Sequence, residues 1–284
     1  MKISYLPLLM MLTATIACSK EKDDSAEVEG EKILHNESYG NHSRQVYDAY
    51  LPENRSTGET YSLIMVHGGS WLSGDKSELS EYLNTLRQRL PGVAFFNVNY
   101  RYALVESDKF PAQEKDIQAA VNHILSKKSE YQINGKYAVA GFSAGGHLAL
   151  LQAYKNYGSN KPEAVISVAG PVDLKLLFED YSNLATTLIL ATVTGTDPES
   201  NPELYRESSP VTYVKDGIPP SLILHGDQDD VVPVGQALLI KGLLENLGPE
   251  HKVVIYPGAG HTFYGTNITS ALDEIVEFLN KHLK

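Results

Sequence analysis

Three residue types that together cleave acyl groups stand far apart in this chain: a serine at 143, aspartates at 227, 229 and 230, and a histidine at 261. A serine hydroxyl is a weak nucleophile until a base takes its proton, and a histidine base works best when a carboxylate holds its ring. Ser143 lies within Gly141-Phe142-Ser143-Ala144-Gly145, after an apolar run and before a helical one. A sharp strand-to-helix turn would expose its hydroxyl. Such a turn crowds the positions two before and two after the serine, where glycine relieves the clash. His261 sits in "YPGAGHTFYG" (256–265), a Gly-rich loop near the C-terminal end in which a histidine has no obvious core role. The order Ser, Asp, His spreads over so many residues that the three can meet only by folding, at the ends of different strands.

The aspartates close "ILHGDQDDVVP" (223–233), an apolar run that ends in three acids. Carboxylates at the end of a buried strand are costly unless something uses one of them. A calcium loop is excluded, because the glycine and terminal glutamate of that motif are missing and no second acidic cluster lies nearby. A partner for His261 fits better. The residue types alone leave open which aspartate serves.

Acyl transfer also builds negative charge on the carbonyl oxygen, and backbone N–H groups can hold it. "LIMVHGGSWLSGDK" (63–76) has the composition for this: an apolar run ends in His67-Gly68-Gly69-Ser70-Trp71. The expected donors are the N–H groups of Gly69, Ser70 and Ala144, with Gly68 letting the loop approach. His67 is expected to brace the loop rather than act as the base, since His261 is the better base. Trp71 is expected to pack or line a pocket.

The elements that must position these residues follow from periodicity. Apolar or β-branched runs at 45–51, 61–67, 93–100, 137–142, 164–170, 221–225 and 252–258 read as strands. The later ones are continuously apolar, as strands covered on both faces must be. Helical patterns fall at 77–90, at 111–125 opening with Pro111, at 236–248 ending in Gly248, and at 270–283 opening with Ser270. This alternation predicts an α/β fold with a mostly parallel central sheet and helices on both faces. Ligands of such sheets lie beyond the carboxyl ends of the strands, where the candidate residues fall. Residues 171–218 form an insertion, expected to be a small lid over the site.

Composition narrows the partners. A net charge of −11 and a pI near 5.3 argue against nucleic acid and against peripheral binding to anionic lipid. No motif calls for a cofactor or a metal. At the start, Met1-Lys2 is followed by an apolar stretch too short to span a membrane, then by Thr15-Ile16-Ala17-Cys18. Two processing readings stand: an ordinary secretory cut after Ala17, or a lipoprotein signal (1–17) whose cut leaves Cys18 to carry lipid. Cys18 is the single cysteine of the chain and has no disulfide partner within it. Residues 18–31 read as an acidic tether, either a plain solvated linker or a surface-export signal. The domain proper is expected over 32–284. On the lipoprotein reading, which resembles a bacterial lipoprotein signal, the protein is expected outside the cytoplasm, lipid-anchored to a bacterial membrane, the outer membrane or the cell surface, with the lipid at Cys18 as its membrane contact.

The chain resembles the α/β-hydrolase superfamily over 32–284. "HGGSW" (67–71) is similar to the HGGxW-type oxyanion motif of small esterases: the bifunctional feruloyl/acetyl-xylan esterase-like group, with kynurenine formamidase-like and hormone-sensitive-lipase-like relatives. "NVNYRYA" (97–103), "FPAQEKDIQAAVNHI" (110–124), "GFSAGGHLA" (141–149), "HGDQDDVVP" (225–233) and "GAGHTF" (258–263) look like further landmarks of that family. Its acid precedes Val-Pro in the order D-x-x-V-P, which selects Asp229. Asp230 should then face solvent or start the next helix, and Asp227 should be a turn residue bonded to its own loop. Arg101 and Asp116 are expected to form a structural pair.

The resemblance implies a serine ester hydrolase with a Ser143–His261–Asp229 triad and an acyl-enzyme, and with small esters or esterified plant polysaccharide as substrates. Trp71, Phe142, Tyr181, Tyr205, Tyr213 and Phe263 are candidate pocket residues. Rival readings are an arylformamidase and, from another class, a non-catalytic carbohydrate-binding lipoprotein. A peptidase of the prolyl oligopeptidase kind would need a second domain for which the chain has no room.

Overall fold

A computed structural model describes Met1, residues 30–180 and residues 184–283. The putting together of strand and helix follows the expected alternation, with one strand more than the periodicity suggested. The strands are β1 Lys32–Ser38, β2 Val46–Leu51, β3 Ser62–Val66, β4 Ala94–Val98, β5 Tyr137–Phe142, β6 Ala164–Val168, β7 Ser221–Gly226 and β8 His251–Tyr256. They form one sheet in the order β1-β2-β4-β3-β5-β6-β7-β8. β2 runs antiparallel to both β1 and β4, and the six strands from β4 to β8 are parallel. This is the α/β-hydrolase fold.

β3, β4 and β7 are buried along their whole length, which explains their unbroken apolar runs. The unanticipated strand, β1 (KILHNES), has one neighbour and is largely exposed. An edge strand wet on both faces carries no period-2 apolar signal. Just before it, Arg55 donates to the Gly30 carbonyl, and Glu31 pairs with Arg87.

The helices are α1 Ser80–Arg89, α2 Ala112–Ser126, α3 Lys128–Tyr131, α4 Ala144–Tyr154, α5 Leu174–Phe178, α6 Leu184–Thr194, α7 Pro202–Glu207, α8 Gly235–Leu247 and α9 Thr266–His282. The helix expected over 77–90 splits into a 3₁₀ turn, Lys76–Leu79, capped by the Asp75 carboxylate, and α1. α8 ends at Gly248 in the left-handed region, as expected of a helix-stop glycine. α9 begins at Thr266, not at Ser270. Its buried stripe of Ala271 and Ile275 continues back to Ile268, and packing that residue is worth more than a serine cap.

Apolar side chains form one cluster on each face of the sheet. In β5, Val139 joins the cluster under α2, α4 and α8, while Ala138 and Ala140 join that under α1 and α9. Arg101 and Asp116 are a structural pair. Asp116, on α2, accepts from the Arg101 guanidinium at 2.7 Å, from the Arg101 backbone N–H at 2.9 Å and from Gln45 at 2.8 Å.

Within 171–218 lie α5, α6, α7 and a 3₁₀ turn, Pro210–Tyr213. Gln236 of α8 accepts the N–H groups of Val172 and Asp173, and Lys155, just past α4, donates to the Glu207 carbonyl. Cys18, the signal sequence, the tether as far as residue 29, and Tyr181 lie outside the described residues.

Candidate active site

The turn from β5 into α4 places Ser143 at φ 55°, ψ −122°, a conformation held by close packing on both sides. A Cβ on Gly141 would stand 2.1 Å from the Gly145 carbonyl oxygen, and one on Gly145 would stand 2.1 Å from the Val66 carbonyl oxygen. The two glycines are thus required because this turn is pressed against itself and against the end of β3. The parallel register brings Val66, Gly141 and Ser167 level, so the loops after β3, β5 and β6 meet at one rim.

At that rim Ser143 Oγ lies 2.9 Å from His261 Nε2, and His261 Nδ1 lies 2.8 Å from Asp229 Oδ2. The carboxylate accepts, so Nδ1 carries the proton and Nε2 is left as an acceptor for the serine hydroxyl. Asp229 Oδ1 is filled by the N–H groups of Val231 and Val232, at 2.9 and 2.8 Å. Burial would raise the Asp229 carboxyl, but the His225, His261 and Val232 donors outweigh it and hold the group well below the usual carboxylate range.

The neighbouring acids have other tasks. Asp230 is exposed and precedes α8 by several residues. Asp227 does not bond its own loop. It accepts the Gly258 N–H at 2.7 Å, from the loop that carries His261. That partner lies 31 residues away, and no turn rule reaches so far.

The loop after β3 is braced as expected. His67 is fully buried and stacks on Tyr100 at 4.4 Å. Its Nδ1 donates to the Gly68 carbonyl at 2.7 Å, which leaves Nε2 facing Arg44 at 3.3 Å as an acceptor. Burial drives the ring down to about 4, so it is neutral at ordinary pH. Gly69, Ser70 and Trp71 follow at φ 101°, 55° and 58°. A Cβ on Gly68 would lie 3.2 Å from the Ser143 Cβ, so this loop abuts the serine directly. Among the described residues the N–H groups of Gly69, Ser70 and Ala144 have no acceptor.

The expected pocket residues divide. Phe142 sits beside His261, with ring centroids 5.2 Å apart. Together with the buried Phe263 it lines an apolar cavity of about 110 Å³ between the sheet and helices α1 and α9. Trp71 is buried edge-on against His147 of α4. The hydroxyls of Tyr205 and Tyr213 bond within the insertion. Tyr205 is fully buried and bonds the Thr196 carbonyl at 3.0 Å. Tyr213 donates to the Glu207 carbonyl at 2.9 Å, with Lys155 over its ring. Both hold the insertion to itself, a task that sequence cannot distinguish from lining a cleft. His147 carries no local sequence signal for its task; its Nε2 donates to the Ser208 carbonyl at 2.7 Å and pins the insertion to α4.

A family model described as BD-FAE matches residues 47–244. Esterase LipC of Mycobacterium tuberculosis is 27% identical over 248 residues, which cover 79% of this chain and 58% of that protein. The fold superposes on a truncated form of a carbohydrate esterase from gut microbiota with a TM-score of 0.77 at 25% identity, covering 91% of this chain and 98% of that one. It superposes equally, at 0.77 and 23% identity, on a bifunctional GH43-CE of Bacteroides eggerthii, covering 88% of this chain and 38% of that one. The chain spans little more than half the length of the curated relatives it matches.

Proposed function

The chain belongs to the BD-FAE family, and from that premise we propose that it is a serine carboxylic-ester hydrolase. His261 Nε2 takes the proton as Ser143 Oγ attacks the ester carbonyl. The tetrahedral oxyanion rests on the N–H groups of Gly69, Ser70 and Ala144, and Asp229 stabilises the imidazolium. The imidazolium then protonates the departing alcohol. Water, deprotonated by the same histidine, cleaves the acyl-enzyme. The observation that carries this reading is the unbroken line Ser143 Oγ, His261, Asp229 at 2.9 and 2.8 Å.

The substrates are short-chain or aryl esters, among them acetyl and feruloyl groups on plant polysaccharide. The likeness to a carbohydrate esterase from gut microbiota supports this class. Export as a lipoprotein anchored through Cys18 would bring the enzyme to polymers that do not enter cells.

The test is fluorophosphonate labelling with turnover of p-nitrophenyl acetate, butyrate and octanoate, methyl ferulate, acetylated xylan and N-formylkynurenine. Label at Ser143 and hydrolysis lost in Ser143→Ala are expected. An unlabelled serine would leave a binding protein with a hydrolase fold. Preference for the formamide would move the assignment to arylformamidase.

A further inference from the structure

A second histidine stands behind the candidate acid. His225, next to last in β7, is fully buried. Its Nε2 lies 2.7 Å from the Val232 carbonyl oxygen. A carbonyl only accepts, so Nε2 carries the proton. The same nitrogen is 3.3 Å from Asp229 Oδ2, the oxygen that receives His261 Nδ1. The other ring nitrogen, Nδ1, is buried without a hydrogen-bond partner among the described residues. The Nε2 proton is thus the one this ring presents toward Val232 and Asp229.

We propose that His225 is the positioning residue of the acid: it fixes where Asp229 points and how much negative charge Asp229 offers to His261. This rests on the serine-hydrolase reading above. Two links carry it. The Val232 residue whose carbonyl His225 holds is also the residue whose N–H fills Asp229 Oδ1, so the ring clamps the carboxylate's cradle from beneath. The N–H dipole of the ring then acts on Oδ2, off the line of its own hydrogen bond. A carboxylate shared between two imidazoles attracts the His261 proton less strongly than one facing His261 alone.

Few other charges bear on the pair. Asp227 is turned to Gly258. The loop after β8 brings His261. β6 carries no ionisable side chain, and the buried face of α8 is Gln236, Ala237, Ile240 and Leu244. β8 sets Ile255 opposite His225; its His251 and Lys252 lie at the far end of the strand, and Tyr256 pairs with Gly226.

The test compares His225→Leu with His225→Gln, whose amide nitrogen reaches the position of Nε2. In the Leu variant kcat should fall about tenfold with KM within about twofold. The acid limb of the kcat/KM profile should move up by about half to one pH unit, because Asp229 then holds the His261 proton more tightly. The Gln variant should return both toward the parent. An unmoved acid limb in a folded, fluorophosphonate-reactive Leu variant would overturn the proposal. Should that variant not fold, imidazole ¹⁵N–¹H spectra of the parent decide: the His225 Nε2–H signal should shift as the pH crosses the acid limb, and a silent His225 overturns the role. Ser143→Ala separates the two readings. Retained turnover there brings down the serine mechanism and this role with it, whereas lost turnover with an unmoved acid limb brings down only the role of His225.

Discussion

The Asp227 carboxylate accepts the backbone N–H of Gly258 at 2.7 Å, tying the loop after β7 to the loop after β8. Asp229 lies two residues beyond one end of this tie and His261 three beyond the other. One hydrogen bond between two loops thus ties the segment of the acid to that of the histidine, and within the acidic cluster one carboxylate faces the imidazole while another holds its loop.

Replacing these two acids should have different consequences. Asp229→Asn should lower kcat/KM by a factor on the order of 10³–10⁴, since an amide favours the wrong His261 tautomer. Asp227→Asn should cost about tenfold or less in rate and about 1 kcal/mol in stability. Ester hydrolysis and urea unfolding measured side by side check both; equal rate losses would refute the division of roles.

The turn at Ser143 is governed by contact distances. Gly141→Ala places a methyl 2.1 Å from a backbone oxygen and should destabilise by on the order of 3 kcal/mol or more, or prevent folding. Gly235→Ala, at the open start of α8, meets nothing within 4 Å and should be neutral or stabilising by up to about 1 kcal/mol. Thermal midpoints of the two variants compare directly.

Two buried histidines make stability depend on pH. Burial lowers both His67 and His147 from 6.5 to about 4. Below pH 6.5 the unfolded chain binds protons that the folded rings refuse. Their contribution is therefore complete above pH 6.5 and is lost as pH falls toward 4, on the order of 3 kcal/mol for each ring. Urea midpoints should decline across that window. His147→Gln should be less stable at neutral pH yet decline less steeply.

Two of the candidate pocket aromatics should separate in the same assay. Tyr205→Phe removes a buried hydroxyl bonded to the Thr196 carbonyl and should cost about 1 kcal/mol with kcat/KM unchanged. Phe142→Ala, beside His261, should change kcat/KM, with the size of the change depending on the acyl group.

What could be read from the chain, and what could not, follows the range of each interaction. The strands buried on both faces announced themselves as apolar runs, while β1 did not, because an edge strand wet on both faces has no alternation to read. The crowding at 141 and 145 was legible because it arises within one turn. The partner of Asp227 was invisible because it comes from another loop. Trp71, Tyr205 and Tyr213 looked alike as pocket candidates, since an aromatic ring facing a cleft and one facing a neighbouring helix share a sequence signature. His225 stood in view within "HGDQDDVVP", but nothing local indicated that its ring would reach the acid four residues on.

The sequence by itself determined the class of fold, the serine at a strand-to-helix turn, and a glycine-rich loop to meet it, because periodicity and turn sterics act between residues near in the chain. Tertiary structure alone decided which N–H each carboxylate accepts, which tautomer His67, His225 and His261 adopt, and which aromatics reach the rim. Those depend on groups brought within 3 Å or so by parallel strands whose registers come from packing along the whole sheet.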